Sequence, residues 1–210
     1  MPNNFDLGTL FQAVTEQLSQ KKETLNEADT YNHDHGDHMV QIFNLVQNAV
    51  AQKSDKPVAE QLGYASRIVE EQAQSGSGKL YAEGLSNAAR NLSDTNLNEN
   101  SIGILIKSLL MADKPVETSQ PQGTGGFLGS LLSSLLGNSG AESTDQGLGL
   151  DELLRAGLAF YQSKQEGDSN TEAIMDALMA ASPMGQSPHR AQSGSIVAST
   201  IMDFAKSFMQ

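Results

Sequence analysis

Apolar side chains recur every three or four residues along most of this chain, which is the spacing of helices that bury one face. Residues 6–20 and 37–53 show this spacing first. Their apolar positions are Leu7, Leu10, Phe11, Val14 and Leu18 in the first segment and Val40, Phe43, Val46 and Val50 in the second. No segment alternates apolar and polar residues as a half-buried strand does. The spacing therefore predicts an all-α fold.

The same spacing predicts the remaining helices. One begins at Pro57, a residue that fits the first turn of a helix, and ends within Gln74–Gly78. The others cover residues 79–92, 101–112, 150–164, 171–182 and 192–208. Ile102–Ile106 is also compatible with a strand, but its continuation through Lys107–Ala112 favours a helix at the centre of a bundle.

Residues 115–148 interrupt this pattern. Pro, Gly, Thr and Gln are frequent there, around an apolar and uncharged segment, Gly126–Gly137. We interpret this segment as a lid-like helix in a flexible insertion of a single domain that spans residues 1–210. The alternative is a helix that lies on a lipid surface, but the segment has no Lys or Arg to meet anionic lipid.

The charge of the chain argues against one class of partner. With 25 acidic and 13 basic residues, the formal net charge is −12, whereas a nucleic-acid-binding surface must be basic. The chain has no Cys, so disulfides and thiolate metal sites are excluded. It shows no secretory signal pattern and no apolar run that could span a bilayer. We therefore expect a cytoplasmic protein without a transmembrane segment.

The segment Leu25–Met39 holds three of the four His residues of the chain together with three Asp residues. We interpret it as a loop between two helices, the second of which begins near Asp37. The clustered side chains are Asp29, Asp34, Asp37, His33, His35 and His38. Capping explains one or two acids at a helix N-terminus, but acids crowded this closely repel one another unless a cation lies among them. The segment therefore predicts a metal site.

A second polar segment, Ser75–Gly78, comes directly before the helix predicted at 79–92. Backbone N–H groups of a Gly-rich turn that opens a helix suit phosphate oxygens, and Ser77 adds a hydroxyl donor. The alternative is a plain helix end followed by a new helix. With the acidic loop also present, the phosphate role is favoured. Arg190, which precedes the last predicted helix, is a further candidate for a phosphate contact.

Together, the two segments resemble the nucleotide-binding subunit of bacterial dihydroxyacetone kinase and the kinase domain of fatty acid kinase. In that family a loop leads to an Asp-Gly-Asp element at a helix start. Here His35–Asp37 stands in its place, Asp29 takes the first ligand position, and His38 follows. Ser75–Leu85 is similar to the family's Gly-x-Ser-Gly-x-Leu-Tyr-Gly turn. The resemblance spans most of the chain.

The resemblance implies an antiparallel barrel or bundle of about eight helices that binds ADP or ATP with magnesium at one end. The candidate metal ligands are Asp29, Asp34, His35 and Asp37, and the candidate nucleotide contacts are His38, Ser77, Gly78 and Arg190. Imidazole is a poor ligand for magnesium and a good one for manganese or zinc. His35 therefore also admits those two metals.

The implied function is that of a kinase component, which holds Mg-ADP or Mg-ATP while a phosphoryl group passes to or from a substrate. No part of the chain provides a domain for that substrate, so we expect a substrate-binding kinase subunit as partner. The alternative is a non-catalytic binding or regulatory module of the same fold, because the family's Gly-Asp-Lys-Thr and late Asp-Pro-Gly motifs are altered or missing. A lipid-associated protein that uses Gly126–Gly137 is a third alternative, which the acidic net charge disfavours.

Overall fold

The structure, a computed structural model, describes residues 6–92, 99–111, 179–180 and 182–208. Every regular element in these ranges is helical, which confirms the all-α class. The α-helices are α1 (Leu7–Gln20), α2 (Lys22–Ala28), α3 (His35–Gln52), α4 (Val58–Gln72), α5 (Gly76–Asn91), α6 (Glu99–Leu110) and α7 (Pro188–Phe208), and a 3₁₀ helix covers Pro183–Gln186. None of the described helices is long and apolar enough to cross a membrane.

Three predictions fall on residues outside the described ranges. They are the insertion at 115–148 with its lid-like segment, the helix at 150–164 and most of the helix at 171–182.

Helix α1 forms where its cap and its apolar stripe coincide. The Asp6 carboxylate accepts the backbone N–H of Thr9 at 2.9 Å, which satisfies one of the donors that a helix start leaves free. All five residues of the predicted stripe, from Leu7 to Leu18, are at most 1% exposed. Burying each such side chain contributes roughly 1.5–3 kcal/mol, so packing of the stripe holds α1 in place.

Three aromatic rings connect α1, α3 and α5 through the core. The ring centroids of Phe11 and Phe43 are 6.2 Å apart, and Tyr81 lies edge-on to Phe43 at 4.9 Å. Tyr81 is fully buried, and its hydroxyl has no hydrogen-bond partner among the described residues. Burial raises the pKa of this hydroxyl. Tyr81 therefore contributes to the core mainly as an apolar ring.

The helices pack largely in chain order. Helix α3 lies against α1 and α4, α5 lies against α4 and α6, and α7 packs on both α6 and α1. Contacts thus run from α1 through α3, α4, α5 and α6 and return to α1 through α7. Short connections join α3 to α4 and α4 to α5, so these helices alternate in direction. As a result, the N-termini of α3 and α5 lie at the same end.

The loop predicted over Leu25–Met39 is shorter in the structure, and α3 begins two residues before the start predicted near Asp37. Helix α2 occupies the first four residues of that segment, and α3 begins at His35. The reason is the Asn26 side chain, whose amide oxygen accepts the N–H of Gly36 at 2.7 Å and the N–H of Asp37 at 3.3 Å. Because α2 supplies this cap, α3 begins two residues earlier than predicted.

Helices α5 and α7 also begin earlier than predicted. Helix α5 starts at Gly76, three residues before the predicted position, because Ser75 Oγ accepts the N–H of Gly78 at 3.0 Å. Helix α7 starts at Pro188, four residues before the predicted position. Proline has no N–H that would be left without an acceptor in a first turn.

Gly36 lies where α3 meets α2, and a Cβ there would stand 2.1 Å from the backbone oxygen of Lys22. We expect Gly36→Ala to lower the free energy of unfolding by about 2–3 kcal/mol, as overpacking does, because the obstructing atom belongs to the backbone. Urea denaturation followed by circular dichroism measures the change.

Gly63→Ala is the matched control for this prediction. A Cβ at Gly63 would lie 3.8 Å from the Cβ of Ala89, an ordinary contact. Ala is favoured over Gly inside a helix by roughly 0.5–1 kcal/mol, so this variant should be at least as stable as the parent. Equal denaturation midpoints for the two variants would contradict the close approach of α2 and α3.

Candidate functional site

The predicted His and Asp side chains divide into a buried group and a more exposed group at the start of α3. Asp29 and His35 are each only 4% exposed. Asp34, Asp37 and His38 are all open to solvent to some degree. The side chains of the two groups have different partners.

Asp29 follows the last residue of α2 and lies close to α7. Its Oδ1 accepts the backbone N–H of Tyr31 at 3.1 Å and is 4.0 Å from Nδ1 of His189. Burial alone raises the pKa of Asp29, but the hydrogen bond from Tyr31 and the nearby His189 outweigh burial and lower this pKa below its usual value. Asp29 is therefore an ionised carboxylate at neutral pH.

His35, the first residue of α3, connects α3 to α7. Its Nε2 is 2.9 Å from Ser193 Oγ, and that hydroxyl donates to the backbone oxygen of Arg190 at 3.1 Å. Because the serine proton is used in this bond, His35 carries its own proton on Nε2 and donates it to Ser193. The His35 ring also lies edge-on to His189, with centroids 4.6 Å apart. Burial, followed by the nearby His189, lowers the pKa of His35 to about 4, so the ring is neutral at pH 7.

Asp37 and Asp34 each have a partner at the exposed side of the cluster. Asp37 Oδ1 is 3.1 Å from Lys22 Nζ, and its Oδ2 accepts from Asn26 Nδ2 at 2.8 Å. The Asn26 hydrogen bonds, followed by Lys22, lower the pKa of Asp37. Asp34 Oδ1 is 3.2 Å from Nδ1 of His38, which was predicted as a nucleotide contact. All three side chains therefore have partners within the chain.

In this arrangement the candidate metal ligands do not fit a magnesium ion. Magnesium requires oxygen ligands placed around one point, whereas Asp29, Asp34, His35 and Asp37 each contact a different partner. Within the described ranges, no three His, Asp or Glu side chains are grouped so that they could hold a metal ion. The metal site predicted from the sequence stays a prediction.

The Ser75–Gly78 segment forms the cap and first turn of α5. Ser75 accepts the N–H of Gly78, and the N–H groups of Gly76 and Ser77 have no acceptor among the described residues. A Cβ at Gly78 would stand 2.7 Å from atoms of Ala73, so packing excludes a side chain there. Ser77 is only 3% exposed. The donors that this turn offers to a ligand are therefore mainly backbone N–H groups.

Arg190 lies over this turn. Its Nη2 is 2.7 Å from the point that a Cβ of Gly76 would occupy, so the missing side chain at Gly76 leaves room for the guanidinium. Among the described residues, the buried Nε of Arg190 has no hydrogen-bond partner and no acidic side chain pairs with Arg190. A guanidinium without an acceptor, placed at a helix start, is suited to an anion.

The N-termini of three helices thus meet at one place. His35 begins α3, Gly76 begins α5, and His189 and Arg190 stand in the first turn of α7. Each helix N-terminus carries a partial positive charge, and Arg190 adds a full one. We call the group formed by His35, Gly76, Ser77, His189 and Arg190 the Arg190 site. Its charge and its donors fit a phosphate or carboxylate group.

Sequence reasoning gave no role to four residues of this region: Lys22, Asn26, His189 and Ser193. The only signal for His189 was its place beside the candidate Arg190. No signal could have found Ser193, because its contact with His35 joins positions 158 residues apart.

Comparison of the chain with protein-family models, with curated proteins and with solved structures finds no match. The function is therefore argued from the geometry of the Arg190 site and from the resemblance stated above.

The depressed pKa of His35 makes stability depend on pH. In the unfolded chain His35 titrates near 6.5, and in the folded chain near 4. Between these values the unfolded state binds more protons, so the free energy of unfolding contributed by His35 is fully present above pH 6.5 and falls as the pH is lowered toward 4.

This prediction is checked with denaturation midpoints at pH 7.5, 6.0 and 5.0. His35→Gln keeps a donor for Ser193 but does not titrate, so its midpoint should fall less steeply over this range. All other His residues remain in both proteins and act as an internal control. Parallel curves for the two proteins would contradict a buried, neutral His35.

Proposed function

We propose that this chain is the nucleotide-binding component of a dihydroxyacetone-kinase-like phosphotransferase. In this role it holds ADP or ATP while a phosphoryl group passes to or from a substrate on a partner subunit. The observation that carries the proposal is the position of the Arg190 guanidinium over the glycine turn of α5, where α3 and α7 also begin, with no acceptor for its Nε among the described residues.

The chemistry of a nucleotide phosphate suits this arrangement. Phosphate oxygens accept hydrogen bonds from backbone N–H groups at helix starts, which Gly76 and Ser77 offer. Arginine presents a planar set of donors that matches two phosphate oxygens at once. The resemblance indicates the Ser75–Gly78 turn for a nucleotide, and Arg190 is a candidate phosphate contact because it precedes the last predicted helix.

The order of the helices also supports the proposal. Contacts that return from α6 through α7 to α1 agree with the antiparallel barrel that the resemblance implies. The Arg190 site lies at one end of this arrangement, at the N-termini of α3 and α5, as expected for the nucleotide end. The adenine cover expected at Gly126–Gly137 lies outside the described residues.

One observation favours the second candidate function, a non-catalytic binding or regulatory module of the same fold. Asp34 and Asp37, which would have to hold magnesium, are engaged by His38 and by Lys22 with Asn26. Phosphoryl transfer depends on positioning and on charge neutralisation by metal ions. A chain that binds a phosphate ligand but does not transfer it would need neither acid.

Isothermal titration of ADP and ATP into chelator-treated protein, with magnesium, manganese or zinc added separately, tests the proposal. We expect binding in at least one condition, and Arg190→Ala should weaken it at least tenfold because the main cation of the site is lost. Arg67→Ala is the matched control, since Arg67 is exposed on α4 over the ring of Tyr64. This control should bind within twofold of the parent.

The two candidate functions separate in the same experiment. Nucleotide binding that gives no phosphoryl transfer with any candidate partner subunit would support the binding module. Absence of ADP and ATP binding under every condition would contradict the nucleotide-binding function altogether.

A further inference from the structure

We infer that the Arg190 site binds the phosphate group of its ligand without a divalent cation, with the guanidinium neutralising the charge that a metal ion would otherwise neutralise. This inference rests on the proposed nucleotide-binding function and favours its second form, a module that binds a phosphate ligand without transferring it. It departs from the resemblance, which implies magnesium.

The acids near the site are the first part of the argument. Asp29 is the only carboxylate among the described residues that is buried beside the Arg190 site, and it is already compensated by the N–H of Tyr31 and by His189. The Nε2 atom of His35 is directed to Ser193. One carboxylate and one engaged imidazole do not make a magnesium site, which takes several oxygen ligands.

Asn26 keeps Asp37 away from this group. Its amide nitrogen donates to Asp37 Oδ2, while its amide oxygen accepts from the backbone of Gly36 and Asp37. The same side chain therefore both caps α3 and holds the Asp37 carboxylate against α2. If Asp37 turned toward a metal at the Arg190 site, Asn26 Nδ2 would lose its acceptor and Lys22 would keep only Glu23 as a carboxylate partner within the described ranges.

Arg190 supplies the charge in place of a metal. Its Nε is buried and has no acceptor among the described residues, which is unfavourable for a donor. Nη2 points over Gly76, whose N–H, like that of Ser77, has no acceptor within the described ranges. One phosphate group placed there would accept from the guanidinium and from the first turn of α5. All of these donors are present before any metal is added.

The test is titration of ADP and of inorganic phosphate into the full chain, once in EDTA and once in excess magnesium. We expect ADP to bind in EDTA within about threefold of its affinity in magnesium, with inorganic phosphate binding more weakly at the same site. Arg190→Ala should weaken ADP binding at least tenfold in both buffers. Arg190→Lys should recover only part of the loss, because a lysine lacks the planar fork of donors.

Gly76→Ala provides a second variant that keeps the arginine and therefore the total charge. Its methyl group would stand 2.7 Å from Nη2, so the guanidinium must move and ADP binding in EDTA should fall severalfold. Gly63→Ala adds the same methyl group at an open position of α4 and should bind as the parent does. Asp37→Asn should also leave ADP binding in EDTA within twofold of the parent.

Every other outcome overturns the inference, and the outcomes distinguish its failure from failure of the proposed function. ADP binding that requires magnesium and is lost in Asp37→Asn would reject the metal-free site while keeping the nucleotide-binding function. Metal-free ADP binding that neither Arg190→Ala nor Gly76→Ala weakens would reject the Arg190 site as the place where ADP binds. Absence of ADP binding both in EDTA and in magnesium would reject the inference together with the proposed function.

Discussion

Three helices begin at the same end of this molecule, and no helix supplies acceptors for the N–H groups of its own first turn. Each of the three helix starts treats these N–H groups differently. The Asn26 side chain accepts two N–H groups of α3, Ser75 accepts one of α5, and α7 begins with Pro188, which has none to donate. The chemistry of the site follows from these three solutions.

The capping of α3 and the open start of α5 have opposite consequences. Helix α3 receives its acceptors from α2, and its first residue, His35, is buried against Ser193 of α7. The start of α3 therefore holds α2, α3 and α7 together. Helix α5 keeps the N–H groups of Gly76 and Ser77 free of acceptors in the described ranges. An anion bound at this end of the molecule, as proposed, would therefore meet free donors at α5 and Arg190 rather than at the acidic segment.

Apolar spacing was enough to predict the all-α class and most of the described helices. The stripe from Leu7 to Leu18 is buried as predicted, as are Phe43, Val46 and Val50 of α3. These positions could be predicted because a helix that buries one face has apolar residues at regular spacing in its sequence. Helix α2 has no such spacing, since Leu25 is its only buried residue. The starts of α3 and α5 were misplaced because a cap depends on side-chain contacts, and Asn26 reaches α3 from ten residues away.

The candidate site was less predictable, for a related reason. Residue types indicated Arg190 and the Ser75–Gly78 turn separately, but their proximity depends on how α7 returns to the other helices. The acidic segment suggested a metal because its acids are close in sequence, whereas the fold gives them separate partners in Lys22, Asn26 and His38.

The net charge of −12 sets a final condition on any anionic ligand. At physiological ionic strength, exposed charges are screened beyond about 8 Å, so the acidic surface opposes an approaching phosphate only weakly once the phosphate is inside the site. Of the two buried groups at this end of the molecule, Asp29 is ionised and His35 is neutral. Because His35 adds no charge at neutral pH, Arg190 provides the fixed positive charge of the site. Anion binding at the Arg190 site, as proposed, therefore depends on one side chain and the helix starts around it.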